Sequence, residues 1–283
     1  MSIEKITVIG AGTMGHGIAQ VSAQAGFHVT LVDVSEEILA RGLSVIEANL
    51  KKGIERGKVT EAEMRDALAR IQTSTDATKS ASQADLVVEA IIERLDAKQK
   101  LFAKLDAFCK SETILATNTS SLSIEKIASV THRPDRVIGM HFFNPVHIMK
   151  LLEVVIGPET SEATLAVTLD VAARTGKEAI TVKDAPGFAT SRLGVALGLE
   201  AMRMLEQDVA SAEDIDKAMS LGYNHPVGPL RLTDLVGLDV RLHIAEYLFD
   251  ELGSEVFRPP DILRQKVSEG KLGKKSGEGF YKW

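Results

Sequence analysis

Cysteine occurs once in the 283 residues, at Cys109, so no disulfide can form within the chain. It falls in the helical pattern Leu101, Phe102, Leu105, Phe108, which predicts a packed thiol rather than a reactive one. A reducing, cytoplasmic compartment is therefore expected. The first strand begins near residue 3, which leaves no room for a signal peptide. Long apolar runs are missing too. The longest, Leu193 to Met202, is interrupted by Glu200 and falls well short of the ~20 residues a bilayer span needs, so no membrane partner is expected. Cationic excess is absent: the formal net charge is −6, whereas neutralising a phosphate backbone demands a basic surface, and this excludes nucleic acid as the main partner. A polyanionic ligand must then meet a local cluster of cations. No Cys/His cluster exists, and Pro145 separates His141 from His147, so no metal site is predicted.

What the chain does contain is organised around Gly10-Ala11-Gly12-Thr13-Met14-Gly15. Lys5-Ile6-Thr7-Val8-Ile9 before it is β-branched and reads as a buried strand, and Ile18-Ala19-Gln20-Val21 after it has helical spacing up to Gly26. Gly10 permits a tight turn, Gly12 lets backbone approach a pyrophosphate, and Gly15 lets the helix pack close to the strand. The next strand, Phe27 to Val32, ends at Asp33, where an acid binds the adenine ribose hydroxyls. A carboxylate there also repels a 2′-phosphate, so the expected cofactor is NAD rather than NADP.

The length suggests two domains. After Asp33, Ser35 is placed to cap a long helix whose buried stripe is Leu39, Leu43, Ile46, Leu50 and Ile54. Arg41, Asn49, Lys51, Lys52, Arg56 and Lys58 lie off that stripe, as a solvated face or as an anion-binding one. Thr60-Glu61-Ala62-Glu63 is a capping box. Asp85 to Ala90 and Thr113 to Thr117 read as strands, with a helix from Arg94 to Cys109 between them. The polar cluster Asn118-Thr119-Ser120-Ser121 follows the second strand, where parallel sheets bind ligands; alternatively Ser121 or Ser123 only caps the next helix. Val137 to Phe143 and Leu151 to Ile156 form a hairpin centred near residue 147, which sets His141 opposite Glu153. A histidine held by a buried carboxylate suits a general base; the plain alternative is a core histidine beside an unrelated glutamate. Ser161 to Arg174 is a helix and Ala179 to Val182 a final strand. Asp184-Ala185-Pro186-Gly187 then breaks the pattern, and helices follow at about Phe188–Leu205, Ala212–Leu221 and Thr233–Leu252. The expected architecture is a doubly wound, mostly parallel Rossmann-type sheet over residues 1–184 and an all-helical domain over 185–283. Arg192 to Leu205 is apolar almost all round, which predicts cover from a second subunit and hence a homodimer through the helical domain.

Several of these runs together resemble the short-chain L-3-hydroxyacyl-CoA dehydrogenases. They are Gly10–Gly15 with Asp33, Ala116 to Leu122, Gly139 to Pro145, Asp184 to Phe188, Asn224 to Pro229 and Gly273 to Tyr281. The likeness spans the whole chain and is nearest to the stand-alone bacterial group acting on 3-hydroxybutyryl-CoA. It implies oxidation of an (S)-3-hydroxyacyl-CoA by NAD to the 3-oxoacyl-CoA, and the reverse reduction of acetoacetyl-CoA. In that reading His141 is the base, Glu153 orients it, and Ser120 meets the reacting oxygen. Cofactor contacts would come from the run Gly10, Gly12, Thr13, Met14 and Gly15, and from Asp33, Glu93, Lys98, Ser120, Asn144 and Lys275. Coenzyme A contacts would fall on Asn49, Lys52, Arg56 and Ser120; the family often has serine and lysine where this chain has Asn49 and Arg56. Ser191 stands where many members carry an asparagine that donates to substrate. Two other readings fit the same plan: a dehydrogenase of a free 3-hydroxy acid or sugar acid, and a non-catalytic NAD-binding protein.

Overall fold

A computed structural model describes residues 2–283, and the chain divides into two compact units between Asp184 and Ala185. The first unit carries one sheet: β1 (Lys5–Ile9), β2 (His28–Val32), β3 (Ile71–Ser74), β4 (Leu86–Glu89), β5 (Ile114–Thr117), β6 (Val137–Phe142), β7 (Leu151–Ile156) and β8 (Glu178–Lys183). Its helices are α1 (Gly15–Gln24), α2 (Glu36–Glu55), α3 (Glu61–Ala69), α4 (Ala77–Ala81), α5 (Leu95–Phe108), α6 (Ile124–Ala128) and α7 (Glu162–Arg174). The spatial order is β3-β2-β1-β4-β5-β6-β7-β8. All neighbours are parallel except the β6–β7 pair. Strand order reverses at β1, which lies between β2 and β4, and that switch point is where ligands of such sheets bind. Strands β4, β5 and β6 are buried on both faces, which is why they read as continuous apolar runs rather than alternating ones.

Local chemistry fixes the helix starts. Ser35 accepts from the Ile38 N–H at α2, Thr60 and Glu63 form the reciprocal box at α3, and Ser161 caps α7. Of the two serines considered after β5, Ser123 is the one that caps α6. Leu39, Ile46 and Leu50 of α2 are buried in the core with Val8, Ile18, Phe27 and Leu31.

The second unit comprises α8 (Thr190–Glu206), α9 (Ala212–Gly222), α10 (Pro229–Val236), α11 (Leu238–Leu252) and α12 (Asp261–Ser268). The single helix expected over Thr233–Leu252 is two helices: Gly237, at φ 106°, takes a conformation closed to most L-residues and ends α10. β3 and α4 were not anticipated because each is short, and β3 has a single apolar residue. Most of α8 is covered within the unit itself. Val195, Leu199, Ala201 and Met202 are buried against α10 and α11 residues such as Leu230, Ala245 and Leu248, and Leu193 is its one widely exposed apolar residue among those described. Cys109 ends α5 half-buried, and burial pushes its thiol up to about 11.

Candidate active site

β1 runs into a turn at Gly10, where φ is 103°. A Cβ at Gly10 would stand 2.5 Å from the Ala90 carbonyl oxygen, and one at Gly15 would stand 1.6 Å from that of Gly10. Backbone packing therefore demands both glycines. Gly12 differs: a Cβ there meets nothing within 4 Å, so its backbone faces open space that a ligand can enter. Thr13 and Met14 lead into α1, which begins without a side-chain cap and so presents unsatisfied N–H groups to an anion. At the end of β2, Asp33 accepts from the Ala11 N–H at 2.6 Å and the Val34 N–H at 2.7 Å. It braces the glycine turn from the position where an adenine ribose would lie. An open backbone, an uncapped helix start and one carboxylate fit a dinucleotide with an unphosphorylated ribose.

Across the switch point, the carboxyl ends of β4 and β5 hold a buried ionic network. Glu89 is completely buried and accepts from the Ile91 N–H, the Thr117 hydroxyl and the Lys98 ammonium at 2.6–2.7 Å. Lys98 is 1% exposed and also lies 3.2 Å from Glu93. Glu93 in turn accepts from the Thr119 hydroxyl at 2.5 Å and from the Ser120 N–H at 2.8 Å and its hydroxyl at 3.2 Å. Burying Glu89 and Lys98 is tolerable only because each is paired and hydrogen-bonded, and Glu93 completes the network from a partly exposed position. Glu93, Lys98 and Ser120 are thus one connected unit, anchored by Glu89 and Thr117. Sequence reasoning passed over Glu89; a carboxylate at the carboxyl end of a central parallel strand was the signal.

β6 and β7 pair with His141 opposite Glu153, and the imidazole Nδ1 lies 2.7 Å from Glu153 Oε2. Glu153 is completely buried and His141 nearly so. A carboxylate on Nδ1 accepts the N–H there and makes Nε2 the acceptor nitrogen of the neutral ring. The Phe143 ring packs on the imidazole, 4.4 Å between centroids. The Phe142 N–H donates to Asn118 at 2.9 Å, tying β6 to the polar cluster after β5. Asn144 stands exposed just beyond β6.

Asn49, Lys52, Arg56 and Lys58 of α2 and the loop after it line a cavity of about 430 Å³ with Gln20, Gln24 and His147. Gln20 accepts from Asn49 Nδ2 at 3.2 Å. Lys51 instead pairs with Glu47 on its own helix. Lys52, Arg56 and Lys58 thus form a local cation cluster in a chain whose overall charge is −6. Ser191 and Lys275 belong to the second unit. Ser191 is half-buried in the first turn of α8, and the Lys275 ammonium lies 2.6 and 2.7 Å from the two carboxylate oxygens of Asp239.

Family comparison agrees with this layout. Residues 5–185 match the NAD binding domain of 3-hydroxyacyl-CoA dehydrogenase, and residues 187–283 match its C-terminal domain. The chain is 48% identical to a probable 3-hydroxybutyryl-CoA dehydrogenase of Bacillus subtilis, over 99% of this chain and 98% of that one. It is 46% identical to the mitochondrial hydroxyacyl-coenzyme A dehydrogenase of Homo sapiens, over 99% and 91% respectively. The crystal structure of an (S)-3-hydroxybutyryl-CoA dehydrogenase from Ralstonia eutropha superposes with a TM-score of 0.96 at 42% identity, covering 100% of this chain and 99% of that one. With its glycine turn, its buried His141–Glu153 pair and the two domain models matching over residues 5–185 and 187–283, the chain belongs to the NAD-dependent 3-hydroxyacyl-CoA dehydrogenase family.

Proposed function

We propose that the chain oxidises (S)-3-hydroxybutyryl-CoA to acetoacetyl-CoA, and catalyses the reverse, with His141 as the proton-transferring group. The observation that carries this is the 2.7 Å contact between His141 Nδ1 and the fully buried Glu153. NAD supplies the acceptor for the hydride that leaves C3. Gly10, Gly12, Thr13, Met14, Gly15 and Asp33 hold its adenosine diphosphate half, and Glu93, Lys98, Ser120, Asn144 and Lys275 serve the remainder. Lys98 does so indirectly, since its ammonium is enclosed by Glu89 and Glu93.

His141 Nε2 takes the 3-hydroxyl proton as the C3–O bond becomes a carbonyl. Glu153 stabilises the resulting imidazolium, and in reduction the imidazolium returns the proton to the oxygen. Ser120 hydrogen-bonds the reacting oxygen from a position set by Glu93. Ser191 donates to the substrate in place of the amide common in the family, with a shorter reach. Asn49, Lys52 and Arg56 meet the phosphates of coenzyme A. Initial rates with the CoA ester and with free 3-hydroxybutyrate test the substrate assignment. Turnover of the ester alone supports it, while turnover of the free acid alone selects a free-acid dehydrogenase.

A homodimer through the helical unit completes the reading. Its support is α10, where Leu232, Leu235 and Val236 share one face at helical spacing and are all exposed. A lone thiol fits a reducing, cytoplasmic compartment. No helix among the described residues is long and apolar enough to cross a membrane.

A further inference from the structure

The turn between β6 and β7 carries a histidine that the reaction does not use. Val146 is buried against α1, where a Cβ on Gly17 would come within 2.8 Å of it. On the other side, the ammonium of Lys177 donates to the carbonyls of Val146 and Met149, the latter at 2.8 Å. The turn is thus pinned on both sides of His147, which is half-buried in the wall of the cavity formed with Asn49, Lys52, Arg56 and Lys58. None of the described lining residues of that cavity is acidic.

We propose that His147 is a phosphate-recognition residue of the coenzyme A subsite and that its protonation makes acyl-CoA affinity depend on pH, an inference that rests on the coenzyme A reading of this cavity. The charged groups facing His147 are His16 of α1, Lys52 of α2 and Lys177 before β8, with Arg56 and Lys58 in the same wall and Lys150 and Arg174 in the adjoining cavity that His147 also lines. In the unliganded protein burial first, and then His16, Lys177 and Lys52, hold the imidazole below its ordinary value of about 6.5. A phosphate reverses that field: it offsets the surrounding positive charge and accepts from the imidazolium N–H. The imidazole therefore binds a proton more tightly in the complex than in the free protein, and ligand binding takes up a proton. The gain in affinity is fully present below the free-protein value and is lost as pH rises through the value in the complex. The change therefore starts below the ordinary imidazole value of about 6.5 and is complete above the higher value in the complex.

The test is the ratio of KM for acetoacetyl-CoA to KM for the corresponding pantetheine thioester, which lacks all the coenzyme A phosphates, measured from about pH 5 to 8. In the native enzyme the ratio should rise about fivefold across this range, the scale of one partly exposed charge-assisted hydrogen bond. His147→Gln should remove most of the rise, and His147→Lys, charged throughout, should hold the ratio low and flat. An unchanged slope in His147→Gln overturns the inference. Lys52→Ala and Arg56→Ala separate the two levels: if both leave the ratio unchanged, the cavity is not the coenzyme A subsite and both readings fall. If they raise it while His147→Gln behaves as native, only the role of His147 falls. The dephospho-CoA ester identifies the source of the charge: loss of the slope assigns the 3′-phosphate, and its retention the pyrophosphate.

Discussion

Asp33 performs two tasks with one carboxylate. It accepts from Ala11 and Val34, which shapes the glycine turn, and in the proposed cofactor site it is the group a 2′-phosphate would have to approach. Asp33→Ser should narrow the preference for NADH over NADPH by at least about tenfold in kcat/KM, largely through KM for the two cofactors; an unchanged preference would remove Asp33 from cofactor selection. The pairing of His141 with Glu153 was legible because both lie at equal distance from residue 147, and antiparallel register brings such residues face to face. The Glu89–Lys98–Glu93 network was not. Its members come from β4, from the segment after it and from α5; helical spacing puts Lys98 on the buried face of α5 with Phe102 and Leu105, but no linear spacing shows that the carboxylates of Glu89 and Glu93 meet it there.

At the level of elements, the strand–turn–helix that opens the chain depends on close backbone approach. Gly15→Ala would set a methyl 1.6 Å from the Gly10 carbonyl oxygen, so α1 must shift. The expected outcome is loss of measurable NAD binding by calorimetry, with a drop in Tm; native affinity would show that the turn tolerates the shift. α5 is tied to the segment after α6 by Asp106, which accepts from His132 N–H, the His132 ring and Arg133 Nε at 2.7–2.9 Å. Burial raises its pKa, but these donors outweigh it and hold the carboxyl below the usual range. The stability this confers is present above the unfolded carboxyl value of about 3.9 and is lost as pH falls through the lower folded value. Asp106→Asn should therefore cost about 2 kcal/mol in urea unfolding at pH 7, with the gap closing as pH falls from the unfolded carboxyl value of about 3.9 through the lower folded one. A gap that persists there would make the effect one of packing. Helices with caps and an apolar stripe, such as α2, were readable from sequence. α10 and α11 merged into one because apolar residues continue on both sides of Gly237, and only its positive φ separates them.

For the whole molecule, the uncovered face of α10 matters more than α8. The near-continuous apolar character of Arg192–Leu205 suggested an intersubunit helix, yet its neighbours within the helical unit cover most of it; sequence shows that a helix is buried, not which chain buries it. Light scattering at micromolar concentration should give twice the chain mass, and Leu235→Lys should shift it toward the monomer; a monomeric native chain contradicts the dimer. The central claim concerns the proton. Its most direct test is the initial rate of acetoacetyl-CoA reduction by NADH in the native enzyme, in His141→Ala and in Ser191→Ala. The account predicts a fall of about 10³-fold or more for His141→Ala with NADH binding retained, against a loss of only a few-fold for Ser191→Ala, whose hydroxyl positions substrate without carrying the proton. Comparable losses in the two variants, or near-native turnover in His141→Ala, would contradict it.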